Sequence, residues 1–252
     1  MKKTKIEWTE VTWNPSIGCT KISEGCANCY AETMAKRLKA MGNTDYIDGF
    51  GFKILPDRLE EPKRIKKPTK FFVNSMSDLF HEKMPYYFLD EIFDVINSTP
   101  QHIYQILTKR ENIMFDYFSH RPVPKNVWLG VTVENSKYKY RINFLRKIPA
   151  TIRFVSFEPL IGPVGELDLS GIHWCIVGGE SGPKARPIKE KWVIEIFNQC
   201  INHDVSFFFK QWGTWGADEI KRNKKLNGRL FLGKEWKEFP LKTKNRSLTQ
   251  AF

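Results

Sequence analysis

The stretch NPSIGCTKISEGCANCYA at residues 14–31 holds three of the five cysteines of the chain, Cys19, Cys26 and Cys29. The cysteines follow the spacing C-x6-C-x2-C, and a glycine stands directly before Cys19 and before Cys26. Glycine allows tight backbone turns, which helps to aim neighbouring thiolates at one point. Thiolates are soft ligands that select zinc, copper(I) or iron–sulfur clusters. The stretch therefore predicts a metal or cluster site in a loop.

The number of nearby ligands bears on which metal this loop holds. A tetrahedral structural zinc site takes four protein ligands, usually Cys and His. The first histidine of the chain is His81, and no fourth cysteine lies near the loop. Three cysteines without a local fourth ligand favour a [4Fe–4S] cluster that keeps one iron free for an exchangeable ligand. The alternative interpretation is a zinc site that a distant His or Cys completes.

Around this loop, short apolar runs alternate with helical patterns. The predicted strands are 11–13, 71–75, 103–107, 127–133, 152–157, 174–177 and 205–209. Most lack a clean two-residue alternation, which is typical of strands buried on both faces. The predicted helices are 28–41, 86–97, 112–118, 135–147 and 190–202. The alternation predicts an α/β fold with a parallel sheet, either an open doubly wound sheet or a partial barrel.

Polar residues follow several of these strands. They include Ser75, Ser77, Asp78, Lys109, Arg110, Glu134, Glu158 and Glu180. In β/α barrels the side chains at the carboxyl ends of the strands point into the active site. We therefore expect one functional centre that these segments surround.

Size and composition set limits on the protein class. A chain of 252 residues with 41% hydrophobic residues can bury one sizeable core. No apolar run has membrane-spanning length, and the basic N-terminus leads into no apolar signal region. Three clustered cysteines do not form a disulfide framework, which favours a reducing cytoplasm. We interpret Cys175 and Cys200, outside the loop, as small buried hydrophobic residues.

The net charge of +12 is concentrated in two segments, residues 53–70 and residues 219–252. The first segment holds seven Lys or Arg against three Asp or Glu, and the second holds ten against three. This pattern favours a polyanionic partner, with nucleic acid first and nucleotides second, although a solvated basic surface is the alternative. We divide the chain into a barrel at residues 1–211 and a basic, aromatic-containing extension at residues 212–252, which we interpret as a lid or substrate-binding element.

The loop resembles that of a known enzyme class. Asn14–Pro15, Gly18–Cys19, Gly25–Cys26 and Cys29–Tyr30–Ala31 are similar to the cluster loop of the spore photoproduct lyase-like radical S-adenosylmethionine (SAM) enzymes. Those enzymes usually have C-x3-C-x2-C, so this chain has three more residues between its first two cysteines. In its longer form the loop resembles the phage-type three-Cys-motif family. This second resemblance extends through SMSD at 75–78, GVTVE at 130–134, SFEPL at 156–160 and GGESG at 178–182.

The resemblance implies a fold, cofactors and a reaction type. It favours a partial (β/α)6 barrel in which Cys19, Cys26 and Cys29 hold a [4Fe–4S] cluster and SAM chelates the fourth iron. Reductive cleavage of SAM would give a 5′-deoxyadenosyl radical that abstracts hydrogen from the substrate. The resemblance also implies an electron donor, and a three-Cys-motif protein as a partner.

The same resemblance points to cofactor-binding residues, each with a structural alternative. Tyr30 would pack near the cluster and the adenine of SAM, or serve as a core aromatic. Ser75, Ser77 and Asp78 would bind the amino group of SAM, or cap a helix. Glu134 would bind the ribose and Glu158 either SAM or substrate, with structural ion pairs as the alternative. The glycine-rich segment would let the backbone approach adenine or substrate closely, at Gly178, Gly179 and Glu180.

Basic residues near these strand ends and in the extension are candidates for phosphate contacts. They are Lys109, Arg110, Lys184, Arg186, Lys221, Arg222, Lys224 and Lys225. The sequence therefore predicts a cytoplasmic radical SAM enzyme that acts on nucleic acid or a nucleotide, in modification or repair. The alternatives are a non-catalytic, zinc-containing nucleic-acid-binding protein, and a radical SAM enzyme that acts on a small metabolite or a peptide.

Overall fold

The structure is a computed structural model that describes residues 4–240. The strands are β1 (Val11–Trp13), β2 (Ser16–Ile17), β3 (Lys53–Ile54), β4 (Lys70–Val73), β5 (Ile103–Thr108), β6 (Val127–Thr132), β7 (Ile152–Phe157), β8 (Trp174–Gly178) and β9 (Ser206–Gln211). The α-helices are α1 (Tyr30–Ala40), α2 (Tyr86–Asn97), α3 (Glu111–Ser119), α4 (Arg141–Arg146), α5 (Glu190–Asn202) and α6 (Lys224–Asn227). None of the helices between residues 4 and 240 is both long and apolar enough to span a membrane.

The main sheet has seven strands in the order β1-β4-β5-β6-β7-β8-β9, and every neighbouring pair is parallel. The seven predicted strands all form, and they follow one another in the sheet in chain order. The sheet curls into a half-barrel, which confirms the predicted α/β partial-barrel class. Because the strands are parallel, their carboxyl ends all meet at one edge, which we call the carboxyl edge.

The two faces of the half-barrel bury different side chains. On the helix-covered face, residues such as Phe71, Ile106 and Val155 are fully buried in the larger hydrophobic cluster. On the concave face a second cluster fills the space near the amino ends of the strands, and it consists of Trp8, Phe72, Phe154, Trp174, Ile176 and Phe208. Phe239 also packs on Trp174, with 5.2 Å between ring centroids. A ligand on the concave face must therefore lie toward the carboxyl edge.

The helices follow the predicted pattern closely, with one difference. Helices α2 and α5 begin and end at the predicted residues. The predicted helix 135–147 instead divides into a 3-10 turn, Ser136–Tyr138, and the short α4. Tertiary contacts hold the turn, since the amide of Ser136 donates to Pro163 O at 2.9 Å and the Tyr138 hydroxyl accepts from the amide of Glu24 at 3.2 Å. Helical periodicity in the sequence does not indicate these contacts, because their partners Pro163 and Glu24 are distant in the chain.

The described part of the predicted extension, residues 212–240, packs along the edge strand β9. Phe231 is buried against Phe197 and Phe207, and Lys237 forms an antiparallel bridge with Phe208. This covers an edge that would otherwise present unpaired backbone groups. The lid role predicted for the extension stays a prediction, and residues 241–252 lie outside the described residues.

Candidate functional site

The cysteine loop starts at the end of β1 and is fastened to the segment after β4. The Asn14 side chain accepts hydrogen bonds from the Ser75 hydroxyl at 3.2 Å and from the Met76 amide at 3.0 Å. Gly18 has φ +76°, and a Cβ there would lie 1.9 Å from the carbonyl oxygen of Gly51. Only glycine fits at this position, so the residue before Cys19 fixes how the loop leaves the sheet.

The loop carries three thiols that are free and partly exposed, those of Cys19, Cys26 and Cys29. Three free thiols on one loop are the donor set that an iron–sulfur cluster uses, with each thiolate on a different iron. Between residues 4 and 240, no three His, Cys, Asp or Glu side chains converge as the ligands of a single metal ion do. The chemistry of the three thiols as donors is what fits an iron–sulfur cluster.

The local environment separates the three thiols. Burial raises the pKa of Cys19 to about 11, an effect that Asp78 strengthens and Arg110 opposes. Burial also acts to raise the pKa of Cys26, but the positive charge of Lys109 and a hydrogen bond with Ser23 outweigh it. The pKa of Cys26 therefore lies below its ordinary value.

Glu134, predicted as a ribose ligand, follows β6, is fully buried and contacts the cysteine loop. One carboxylate oxygen accepts from the Ser23 hydroxyl, and the other accepts from Arg141 Nη1 at 2.8 Å. A Cβ at Gly25 would lie 2.5 Å from Glu134 Cγ. The glycine before Cys26 therefore gives the loop room to settle against this carboxylate.

Glu180, after β8, holds the other end of the same loop. Its Oε2 accepts from Asn28 Nδ2 at 3.0 Å and from Arg186 Nε at 3.0 Å. Arg186 also donates from Nη1 to Glu24 O in the loop, at 2.8 Å. The positive charge of Arg186 thus pairs with Glu180 and supports the loop backbone.

The candidates after β4 also make contacts within the protein. Ser77 donates to Gly18 O at 2.6 Å, and the Tyr30 hydroxyl donates to Ser75 O. The Asp78 carboxylate accepts four hydrogen bonds, from Phe80 N, Thr108 Oγ1, Lys109 N and Arg110 Nη1. The residue Tyr30 is 59% exposed, although burial around its hydroxyl raises the pKa of that group.

A row of polar groups lies on the concave face directly above the aromatic cluster. Ser156 and Glu158 occupy alternate positions on β7 and its end, and Glu158 forms an ion pair with Lys210 of β9. Ser156 Oγ is buried and has no hydrogen-bond partner within residues 4–240. Gly178 leaves room beside the pair, since a Cβ there would lie 3.3 Å from Glu158 Oε1. Within this row, the side chains of Glu158 and Lys210 are partly exposed, while Ser156 and Gly178 are buried.

Gly179 allows a close backbone approach of a different kind. A Cβ at this position would lie 1.9 Å from Trp212 O, and the Gly179 amide donates to Gln211 O at 3.0 Å. The glycine therefore lets the chain after β9 pack against the chain after β8. This contact places the extension beside the carboxyl edge.

The predicted phosphate-binding residues fall into three places. Lys109 lies half-buried close to Cys26, and Arg110 is buried under the loop. Lys184 and Arg186 follow β8. Lys221, Arg222 and Lys224 line an open cavity of about 430 Å³, together with Ser181, Gly182, Pro183, Thr214 and Asn223. The fold thus joins the extension to the loop after β8, and Lys225 follows next to this cavity.

Several residues of the site could not be singled out from sequence patterns. Thr20, Ser23 and Asn28 lie between the cysteines and were not separated from the rest of the loop. Lys210 stands two residues after Phe208, so strand alternation could have placed it on the concave face. Arg141 gave no signal, because an arginine inside a helical pattern normally reads as exposed.

The half-barrel of parallel strands, with the cysteine loop at its carboxyl edge, resembles the fold of the radical SAM enzyme spore photoproduct lyase. Spore photoproduct lyase complexed with dinucleoside spore photoproduct has a similar structure, with a TM-score of 0.50, 14% identity, and coverage of 81% of this chain and 64% of that chain. A mutant of that lyase with bound AdoMet and the same dinucleoside gives a TM-score of 0.46 at 15% identity, covering 70% of this chain and 57% of that chain. This chain therefore spans less than two thirds of the length of these lyases.

Residues 3–240 match the family described as "Protein of unknown function (DUF5131)", and the chain belongs to this family. A comparison with curated proteins finds no match.

Proposed function

We propose that this protein is a radical SAM-type enzyme in which Cys19, Cys26 and Cys29 hold a [4Fe–4S] cluster. The observation that carries the proposal is the loop itself: three free, partly exposed thiols fastened over the carboxyl edge of a parallel half-barrel. When bound, such a cluster supplies the electron that cleaves SAM reductively and so starts hydrogen abstraction from a substrate. Free thiols also agree with the reducing cytoplasm that we propose as its location.

The chain's own residues position the loop and limit access of water. Glu134 and Glu180 fix the two ends of the segment that carries Cys26. The aromatic cluster below closes the half-barrel toward the amino ends of the strands. A reactive species formed above this floor would be separated from bulk water on that side, as radical chemistry requires.

We propose a division of work among the predicted SAM-binding residues. Tyr30 is largely exposed and Glu158 partly so, and these two are therefore the side of the site that would contact SAM or substrate, with the buried Gly178 directly beside Glu158. The carboxylates of Asp78, Glu134 and Glu180 already accept hydrogen bonds from the protein. The hydroxyls of Ser75 and Ser77 already donate hydrogen bonds within the protein. Gly179 allows the chain at Trp212 to pack closely against it.

The proposed substrate is nucleic acid or a nucleotide, and the reaction a modification or repair. The support is the basic cavity beside the carboxyl edge, where Lys221, Arg222 and Lys224 face the loop after β8. Ammonium groups in such a place neutralise phosphate, whereas the Arg222 guanidinium already pairs with Asp218. The dinucleoside bound by spore photoproduct lyase is a property of that enzyme and supplies only an analogy. A phage-type three-Cys-motif relationship, a three-Cys-motif partner and an electron donor belong to the same proposal.

The test is anaerobic reconstitution with iron and sulfide, followed by dithionite and SAM, with 5′-deoxyadenosine as the readout. We expect the parent protein to form it and Cys26→Ala to lose it, because one cluster ligand is gone. Cys200→Ala, which changes a buried cysteine outside the loop, serves as the control and should keep both cluster and product.

Other results identify the alternatives. Tightly bound zinc without a cluster would favour the zinc-containing nucleic-acid-binding protein and overturn the enzyme proposal. Formation of 5′-deoxyadenosine without salt-dependent binding of DNA or RNA would favour a small-metabolite or peptide substrate.

A further inference from the structure

Arg110 is a buried guanidinium that reaches the first cysteine of the loop. Its Nη1 donates to Cys19 Sγ at 3.5 Å and to Asp78 Oδ2 at 3.2 Å. Its Nη2 donates to the carbonyl oxygen of Thr20 at 3.2 Å and to the Thr20 hydroxyl at 2.8 Å, and its Nε donates to Glu82 Oε2 at 2.7 Å. These contacts use all five N–H groups of an arginine side chain.

The surroundings of Arg110 favour a strong effect on the sulfur. The residue is only 4% exposed, and in a buried environment a hydrogen bond from a cation is stronger than in water. Asp78, itself 7% exposed, accepts from the guanidinium on its buried side, while Glu82, whose side chain is 45% exposed, accepts from it on the more exposed side. The charged group thus has one fixed position against Cys19.

We infer that Arg110 is a positioning residue that sets the reduction potential of the proposed cluster through its hydrogen bond to Cys19. This inference rests on the proposed function. It differs from the phosphate-contact role predicted for Arg110 from the sequence, because the donors of the side chain are directed at the loop and its supports.

The sign of the effect follows from charge. Reduction adds one negative charge to the cluster and its thiolate ligands. A cation that donates a hydrogen bond to one of these sulfurs stabilises the reduced state more than the oxidised state. Arg110 therefore makes the midpoint potential less negative. Glu82 acts in the opposite direction, because its carboxylate compensates part of the positive charge of the guanidinium.

The test is an anaerobic potentiometric titration of the reconstituted protein, with the EPR signal of the reduced cluster as the readout. Arg110→Met keeps the length of the side chain but removes charge and donors. At a fixed potential we expect about a tenfold lower ratio of reduced to oxidised cluster, which is about 59 mV for a one-electron couple. Glu82→Gln, at a side chain that is 45% exposed, should shift the ratio in the opposite direction.

A charge-matched control is Arg146→Met, at the end of the helix that leads to the amino end of β7. It removes one positive charge far from the carboxyl edge and should leave the midpoint unchanged. Midpoints equal to that of the parent in both Arg110→Met and Glu82→Gln would overturn the inference. If Arg110→Met holds no cluster, the direction of the Glu82→Gln shift decides alone. A parent protein that forms no cluster would overturn the proposed function, and this inference with it.

Discussion

Two carboxylates bind side chains of the cysteine loop and so hold it against the sheet. Glu134 and Glu180 each accept a hydrogen bond from a loop side chain and from an arginine, at two strand ends that lie far apart in the sequence. Between residues 19 and 29 the loop consists largely of short side chains, which bury little apolar area. Hydrogen bonds to the rigid sheet are therefore what keeps the three thiols in place.

The thiols themselves give a residue-scale prediction. In cluster-free protein at pH 7.5, iodoacetamide should modify Cys26 before Cys19. The reason is that the pKa of Cys26 is lowered while burial raises that of Cys19 to about 11, so Cys26 has the larger thiolate fraction. Mass spectrometry of tryptic peptides over a time course measures the order.

Lys109→Met provides the matched variant for this experiment. It removes the positive charge that lowers the pKa of Cys26, so modification of Cys26 should slow while that of Cys19 changes little. The buried Cys200 reports any unfolding. Faster modification of Cys19 than of Cys26 in the folded parent would contradict the assigned environments.

At the scale of elements, the short helix α4 connects the loop to the rest of the half-barrel. Its first residue, Arg141, pairs with Glu134 at 2.8 Å and with Glu111 of α3 at 3.2 Å, and its side chain is 2% exposed. Its last residue, Arg146, pairs with Asp168, and both side chains are partly exposed. One helix thus offers a buried and an exposed ion pair for comparison.

Replacing these two arginines should have unequal effects on the free energy of unfolding. Arg141→Met leaves two buried carboxylates without their cation, and we expect a loss of about 3–5 kcal/mol. Arg146→Met removes an exposed pair, and we expect a loss of at most about 1 kcal/mol. Urea unfolding followed by circular dichroism measures both. Equal losses of unfolding free energy in the two variants would contradict a larger stabilising role for the buried ion pairs of Arg141.

At the scale of the whole molecule, the half-barrel is closed at one end and open at the other. The aromatic cluster and Phe239 fill the concave face near the amino ends of the strands. The cysteine loop, the polar row and the basic cavity all lie toward the carboxyl ends. Of the two basic segments seen in the sequence, the second has residues 221–224 at the basic cavity, while the first starts at β3 beside the cysteine loop and its residues 63–70 lead into the amino end of β4.

This separation predicts how DNA binding depends on salt. Lys221→Ala, Lys224→Ala and Lys225→Ala combined should weaken binding and flatten the dependence of log K on log salt concentration. The slope should fall by about 0.9 for each phosphate contact that is lost on duplex DNA. Fluorescence anisotropy with a labelled oligonucleotide between low and physiological salt measures the slope.

The control removes the same charge at the opposite edge, with Lys63→Ala, Lys66→Ala and Lys67→Ala combined. It should leave the slope close to that of the parent. Equal flattening in both triple variants would mean that the DNA responds to net charge alone, and would contradict a binding surface beside the carboxyl edge.

Much of the architecture could be predicted from local sequence. Runs such as 152–157 and 174–177 are short, β-branched or aromatic, and bounded by turn-forming residues, and they became β7 and β8. Parallel strands need long crossovers, which helical patterns supplied between most runs, while residues 158–173 connect β7 to β8 without a helix. The boundaries of α4 were less predictable, because Ser136 and Tyr138 take their partners from Pro163 and Glu24, which are distant in the chain.

The sequence by itself determined the strand–helix alternation, the position of the cysteine loop and the glycines that such a loop requires. These properties depend on periodicity, backbone freedom and ligand chemistry, which are local. Only the tertiary structure decided which polar side chains hold the loop and which remain open to a ligand. Glu134 and Glu158 look alike in the sequence, yet one is fully buried between Ser23 and Arg141 and the other is partly exposed and pairs with Lys210. The free energy of a buried charge depends on the partners that folding brings to it, and those partners come from distant parts of the chain.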